Sequence, residues 1–165
     1  MDLYLVRHAT AHDRDPVRWP DDADRPLTPE GEQEFLQAAK GLKRVAKEPE
    51  VTLASPFVRA WRTAELLAEG AGWPEPEAFP SLEADRPVAG VLDELGPYTG
   101  RTRIALVGHE PGMSELAWLL LAGNPAEGQI HFKKGAVARL QTPGPPEAGG
   151  ATLRWLLIPD AIRKR

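Results

Sequence analysis

The chain contains no cysteine, which excludes a disulfide framework, thiolate zinc sites and phosphatase chemistry with a cysteine nucleophile. Long apolar runs are missing too: the longest, Leu116 to Ala122, is too short to span a bilayer. Met1-Asp2-Leu3-Tyr4 carries no basic leader and reads straight into a strand. No signal peptide is therefore expected, and the expected compartment is the cytoplasm. A strong excess of either sign of charge is absent as well. A formal net charge of -4 over 165 residues steers the molecule toward neither nucleic acid nor an anionic membrane. The basic run Arg163-Lys164-Arg165 reads as a solvated terminus. No Gly-x-x-x-x-Gly-Lys-Ser/Thr loop is present, which excludes a P-loop nucleotide enzyme.

What remains is ordinary globular material, 42% apolar and 27% charged, in the amount expected of a single domain over 1–165. Leu3-Tyr4-Leu5-Val6 is a continuous apolar run that suits a strand buried on both faces. Thr28-Pro29 opens a helix, with Thr as cap and Pro at the first helical position. Phe35, Leu36, Ala39, Leu42 and Val45 then recur at helical spacing, and Pro49 is the expected stop. Val51 to Ala54 is a second strand. Ser55-Pro56 repeats the cap-plus-proline start of a helix over Phe57 to Glu69, ending near Gly70 and Gly72. A short strand is expected near Ala78-Phe79, and a weak helix over Val88 to Leu95. Arg103 to Val107 is the next clear strand, followed by an apolar helix from Met113 to Leu121. Ala136 to Gln141 and Thr152 to Ile158, joined by a Gly/Pro loop, should form a hairpin. This alternation predicts an α/β three-layer sandwich: a mainly parallel central sheet, helices on both faces and one antiparallel edge. Trp19, Trp61, Trp73, Trp118 and Trp155 read as core or rim packing.

In such a sheet, ligands bind beyond the carboxyl ends of the strands. Arg7-His8 follows the first strand. Ser55 to Arg59 follows the second, with Arg59 in the first helical turn. Gly108-His109-Glu110-Pro111-Gly112 follows the strand that ends at Val107. Three strand ends thus deliver two Arg and two His to one edge, where two helix N-termini add unpaired N–H groups. An anion site results, and phosphate is its natural occupant. Taken alone, Arg59 could instead snorkel outward or pair with Glu30, Glu34 or Glu110. Asp13, Asp15, Asp21, Asp22 and Asp24 lie in a long loop and read as solvated charges, so no metal or other cofactor is called for. Without cysteine, imidazole is the nucleophile available near neutral pH. Two Arg forks and a second His would neutralise the equatorial oxygens during in-line transfer.

Arg7-His8, Ser55-Pro56-x-x-Arg59-Ala60-x-x-Thr63, Gly108-His109-Glu110-Pro111 and Arg25-Pro26-Leu27-Thr28-x-x-Gly31 together resemble the histidine phosphatase superfamily, also called phosphoglycerate mutase-like. The resemblance spans nearly the whole chain. It implies the phosphoglycerate mutase-like fold and a transiently phosphorylated His8, with Arg7, Arg59 and His109 forming the phosphate pocket. Within the superfamily the chain is most similar to the small bacterial SixA-type phosphohistidine phosphatases, by its length, its Arg7-His8-Ala9-Thr10-Ala11 run and its Arg-Pro-Leu-Thr run. The span from Thr63 to Arg103 is too short for the helical lid of longer relatives, so an open site is implied.

The expected activity is therefore that of a metal-independent phosphatase, a hydrolase acting on phosphohistidine of a protein partner. The alternatives are a small-molecule phosphomonoesterase using the same site and a phosphate-binding module without catalysis. A monomer is expected. Arg62 stands where many relatives have Gln or Glu. No carboxylate maps onto the general acid of lid-bearing relatives; Asp24, Glu83 and Asp85 are the candidates, or none is used.

Overall fold

Every residue from Leu3 to Val6 is fully buried, which fits a strand with apolar side chains alternating between two covered faces. In the computed structural model, which describes residues 1–125 and 130–163, this strand is β1 (Asp2–Arg7). The other strands are β2 (Val51–Ala54), β3 (Pro76–Ala78), β4 (Arg103–Gly108), β5 (Val137–Gln141) and β6 (Thr152–Leu157). The helices are α1 (Pro29–Leu42), α2 (Val58–Ala71), α3 (Val91–Glu94), α4 (Gly112–Ala122) and α5 (Pro159–Arg163). The six strands form one sheet in the order β3-β2-β4-β1-β5-β6. β3, β2, β4 and β1 run parallel, and β5 and β6 close the other edge antiparallel.

Two cores lie on opposite faces of this sheet. Leu3, Leu5, Ile104 and Leu106 face the core of α3 and α4, while Tyr4, Val6, Ala105 and Val107 face that of α1, α2 and α5. The period of two along β1 and β4 is thus read out on both sides, as the three-layer expectation requires. Among the described residues no helix is long and apolar enough to cross a membrane. Trp73 is buried and stacks on Tyr4 at 5.2 Å between ring centroids. The other four tryptophans are half-buried.

The expected start of α1 is present: Thr28 Oγ1 accepts from Gly31 N–H at 2.9 Å. Gly31 is required there, because a Cβ would stand 2.2 Å from the Thr10 carbonyl oxygen. Three features differ from expectation. α1 ends at Leu42, well before Pro49, as Arg44 and Val45 donate three residues back to Gly41 and Leu42 in a tightened last turn. α2 starts at Val58, one residue after the expected Phe57, and its cap position is Phe57, which provides no side-chain cap, instead of Ser55. Beyond β6 the chain forms a helix that the sequence pattern does not mark: α5 packs on α1, with Ile162 fully buried, while Arg163 is exposed and pairs with Asp160 at 2.6 Å. Lys164 and Arg165 lie outside the described residues.

Candidate active site

The central position of β1 and β4 places the site. His8 N–H continues the ladder by donating to Gly108 O at 2.9 Å, and Ser55 N–H does the same to Val107 O at 2.9 Å. The residues just beyond β1, β2 and β4 are therefore locked side by side. Gly135 N–H donates to His8 O at 3.0 Å. Ala9 N–H donates to Thr63 Oγ1 at 3.0 Å, and that hydroxyl donates to Arg59 O at 2.7 Å. Thr63 thus ties the first turns of α2 to the turn that carries His8. The four expected residues converge: the His8 and His109 rings lie 5.2 Å apart. His8, Arg59 and His109 are buried, and Arg7 is half-buried.

Both arginines are held by one part of the guanidinium and left free at another. Arg7 Nη1 donates to Phe132 O at 2.6 Å, while its Nε is buried without a partner. Arg59 Nη1 donates to Asp22 O at 2.7 Å and Nη2 to Asp22 Oδ2 at 3.0 Å; its Nε is also buried and unpartnered. A guanidinium carries five N–H groups. When Asp22 takes the end-on pair of Arg59, the Nε–Nη2 edge remains for a second, bidentate oxyanion contact. The Phe132 peptide that holds Arg7 is itself held, its N–H donating to Glu110 Oε1 at 2.9 Å. Burial lowers the pKa of both guanidinium groups, yet arginine remains charged in proteins.

The two imidazoles are neutral. Burial lowers the His8 pKa to about 3, opposed by its bond to Ala9 O and reinforced by Arg59, Arg7 and Arg25. Burial lowers that of His109 to about 2, helped by His8 and Arg59. His8 Nδ1 lies 2.7 Å from Ala9 O, and a carbonyl only accepts, so Nδ1 carries the proton. Nε2 then holds the free lone pair. His109 Nε2 lies 2.8 Å from Ser55 Oγ, and its Nδ1 is buried without a partner. Three polar groups thus end unpartnered at one edge of the sheet: Arg7 Nε, Arg59 Nε and His109 Nδ1.

Other expectations need correction. Arg59 pairs with none of Glu30, Glu34 or Glu110; its partner is Asp22, from the loop expected to be solvated. Asp22 also pairs with Arg25 at 2.8 Å, and that contact is the main cause of its lowered pKa. Its spacing of three residues before Arg25 was the available signal. Ser55 serves as partner to His109 and accepts from Phe57 N–H at 3.3 Å; its resemblance to a helix cap concealed this role. Of the acid candidates, Asp24 is exposed. Glu83 and Asp85 line a cavity of about 150 Å³ that also touches His109 and Glu110. Glu83 is paired with Arg86 at 3.1 Å, and Asp85 is exposed. Arg62 pairs with Glu32, Glu65 and Glu69 on the surface of the α1–α2 layer.

Comparison with known proteins adds four findings. The sequence profile of the histidine phosphatase superfamily (branch 1) matches residues 3–84, a span that holds Arg7, His8 and Arg59. An uncharacterised protein of Picosynechococcus is 32% identical over 86% of this chain and 86% of its own length. The phosphohistidine phosphatase SixA of Escherichia coli is 29% identical over 99% of this chain and 97% of its own. A solved structure of the protein histidine phosphatase SixA complexed with tungstate superposes with a TM-score of 0.82. It shares 29% identity over 97% of this chain and 98% of that one.

Proposed function

The chain belongs to the histidine phosphatase superfamily, and on that premise we propose that it dephosphorylates phosphohistidine on a protein partner through a phospho-His8 intermediate. The observation that carries this reading is that His109 packs 5.2 Å from His8 and that Arg7 and Arg59 lie close enough for their charges to act on His8, while Arg7 Nε, Arg59 Nε and His109 Nδ1 are buried without a partner. A buried donor without an acceptor costs about 1–3 kcal/mol. A phosphoryl group would satisfy all three at once. A tetrahedral oxyanion, tungstate, occurs in the solved SixA complex.

The chemistry follows from the tautomers. Nε2 of His8 attacks phosphorus in line as the P–N bond to the leaving imidazole breaks, and that imidazole takes its proton from water. Arg7, Arg59 and His109 donate to the equatorial oxygens as charge spreads over them. Water then attacks phospho-His8 and the new P–N bond breaks, releasing neutral His8 and inorganic phosphate, whose surplus proton neutralises the hydroxide left by the first step. No metal is needed for this electrostatic help. The carboxylates argue for a substrate whose leaving group needs little acid assistance. Asp24 and Asp85 are exposed, Glu83 is engaged by Arg86, and Arg25 and Arg59 hold Asp22 ionised. Phosphohistidine meets that requirement, whereas an alkyl ester, leaving as an alkoxide, does not.

One labelling experiment tests the proposal. In EDTA, a phosphohistidine protein should leave acid-labile, base-stable phosphate on His8, and His8→Ala should lose both label and turnover. Label on Ser or Asp, or activity lost in EDTA and restored by divalent ions, would overturn it.

A further inference from the structure

Ser55 is completely buried, yet no step above uses its hydroxyl. Its oxygen has two neighbours, Phe57 N–H at 3.3 Å and His109 Nε2 at 2.8 Å. A serine hydroxyl has one proton to give and two lone pairs. Phe57 N–H is a donor and takes one lone pair. The hydroxyl proton is then free for a single acceptor, and His109 Nε2 stands at the distance of a good hydrogen bond. The opposite assignment puts the proton on Nε2. That would leave the buried serine proton without an acceptor among its described partners, and it would turn a lone pair of Nδ1 toward the oxyanion.

We propose that Ser55 is a positioning residue: by donating its hydroxyl proton to Nε2, it fixes His109 as the tautomer protonated on Nδ1. The neutral ring then presents Nδ1–H to the phosphoryl oxygens. Phe57 packs edge-on against the same ring at 5.2 Å, and His8 lies at 5.2 Å, so the ring has little freedom to turn. The role explains why the residue right after β2 carries a hydroxyl: the chain leaving β2 supplies both the Arg59 clamp and the group that orients the second histidine.

The inference rests on the phosphatase reading, and its test separates the two. In wild-type enzyme labelled with 15N-histidine, two-bond proton–nitrogen correlations should show His109 with a protonated Nδ1 and a bare Nε2, the tautomer that free histidine disfavours in water. Signals are assigned by their loss in His109→Asn. Ser55→Ala should shift that pattern toward Nε2–H and lower kcat/KM about 10- to 100-fold, as loss of a group that orients a site residue does. A merely structural serine would change stability and leave the tautomer alone. A wild-type spectrum with the proton on Nε2 overturns the inference without any variant having to fold. So does a Ser55→Ala enzyme with unchanged tautomer and rate. In either case an inactive His8→Ala enzyme would leave the phosphatase reading standing, whereas an active one would remove that reading itself.

Discussion

Burial of two neutral imidazoles makes folding stability depend on pH in a window that surface histidines leave quiet. His8 is held near 3 and His109 near 2, against about 6.5 for an unfolded chain. Below about pH 6.5 the unfolded chain binds protons that the folded one refuses, so stability falls as pH falls, until the folded groups titrate. Between about pH 7.5 and pH 5 the unfolded form of each ring gains about RT ln(1 + 10^1.5), or about 2 kcal/mol, and the folded form gains almost nothing. The perturbation is His8→Asn, whose side-chain N–H can replace Nδ1–H toward Ala9 O but cannot titrate. Urea unfolding of wild type and variant at the two pH values gives four free energies. Carboxylates such as Asp22 contribute equally to both proteins and cancel in the comparison. The variant should lose about 2 kcal/mol less than wild type on acidification. Equal losses would mean that His8 titrates in the folded protein as it does in the unfolded one, and the neutral-nucleophile argument would fall with it.

Two further outcomes are expected. Arg59→Lys keeps the charge but cannot hold Asp22 with one edge and a phosphoryl group with another, so turnover should drop about 100- to 1,000-fold; a rate within a few-fold of wild type in steady-state assays would remove Arg59 from the site. Glu83→Gln, Asp85→Asn and Asp24→Asn should each leave phosphohistidine turnover nearly intact, with alkyl phosphates poor substrates throughout. A drop of about 100-fold or more on alkyl esters in any one of them would mark a general acid and favour a small-molecule phosphomonoesterase.

The sheet was legible because its strands are buried on both faces. Leu3 to Val6 and Ile104 to Val107 have no polar face to confuse the period, and both are fully buried. The position of Arg7, His8, Arg59 and His109 was legible for a related reason: Arg7 ends β1, His8 and His109 directly follow β1 and β4, and Arg59 lies in the first turn of the helix after β2, so each is placed by a strand end that the apolar pattern marks. What the sequence concealed depends on contacts between distant segments. Asp22 reaches Arg59 across 37 residues, and Ser55 meets His109 across 54. Local spacing carries no trace of either. Local rules even misled, since a serine before a proline satisfies the pattern of a helix start while its hydroxyl serves another segment. α5 escapes sequence reading because a five-residue helix has too few turns to show a period; it is held by tertiary packing, with Ile162 docked against Gly41 of α1.

These concealed contacts also bear on how firmly the site is held. Arg7 Nε, Arg59 Nε and His109 Nδ1 have no acceptor within the protein and can serve a phosphoryl group only while their segments stay in place. Groups carried on a surface loop could be lost by local opening. Here the backbone of His8 is pinned on one side by Gly108 and on the other by Gly135, and β1 and β4 lie in the middle of the sheet with packed layers above and below. Opening the site would break pairings in the middle of the sheet, and local unfolding of buried core strands is costly. Ser55 extends the same logic to the outer ring: its N–H belongs to the ladder through Val107 O, so the group that orients His109 moves only if β2 moves. Donors held this way need little reorganisation when charge develops on a phosphoryl group, which is the condition under which electrostatic stabilisation of a transition state is largest.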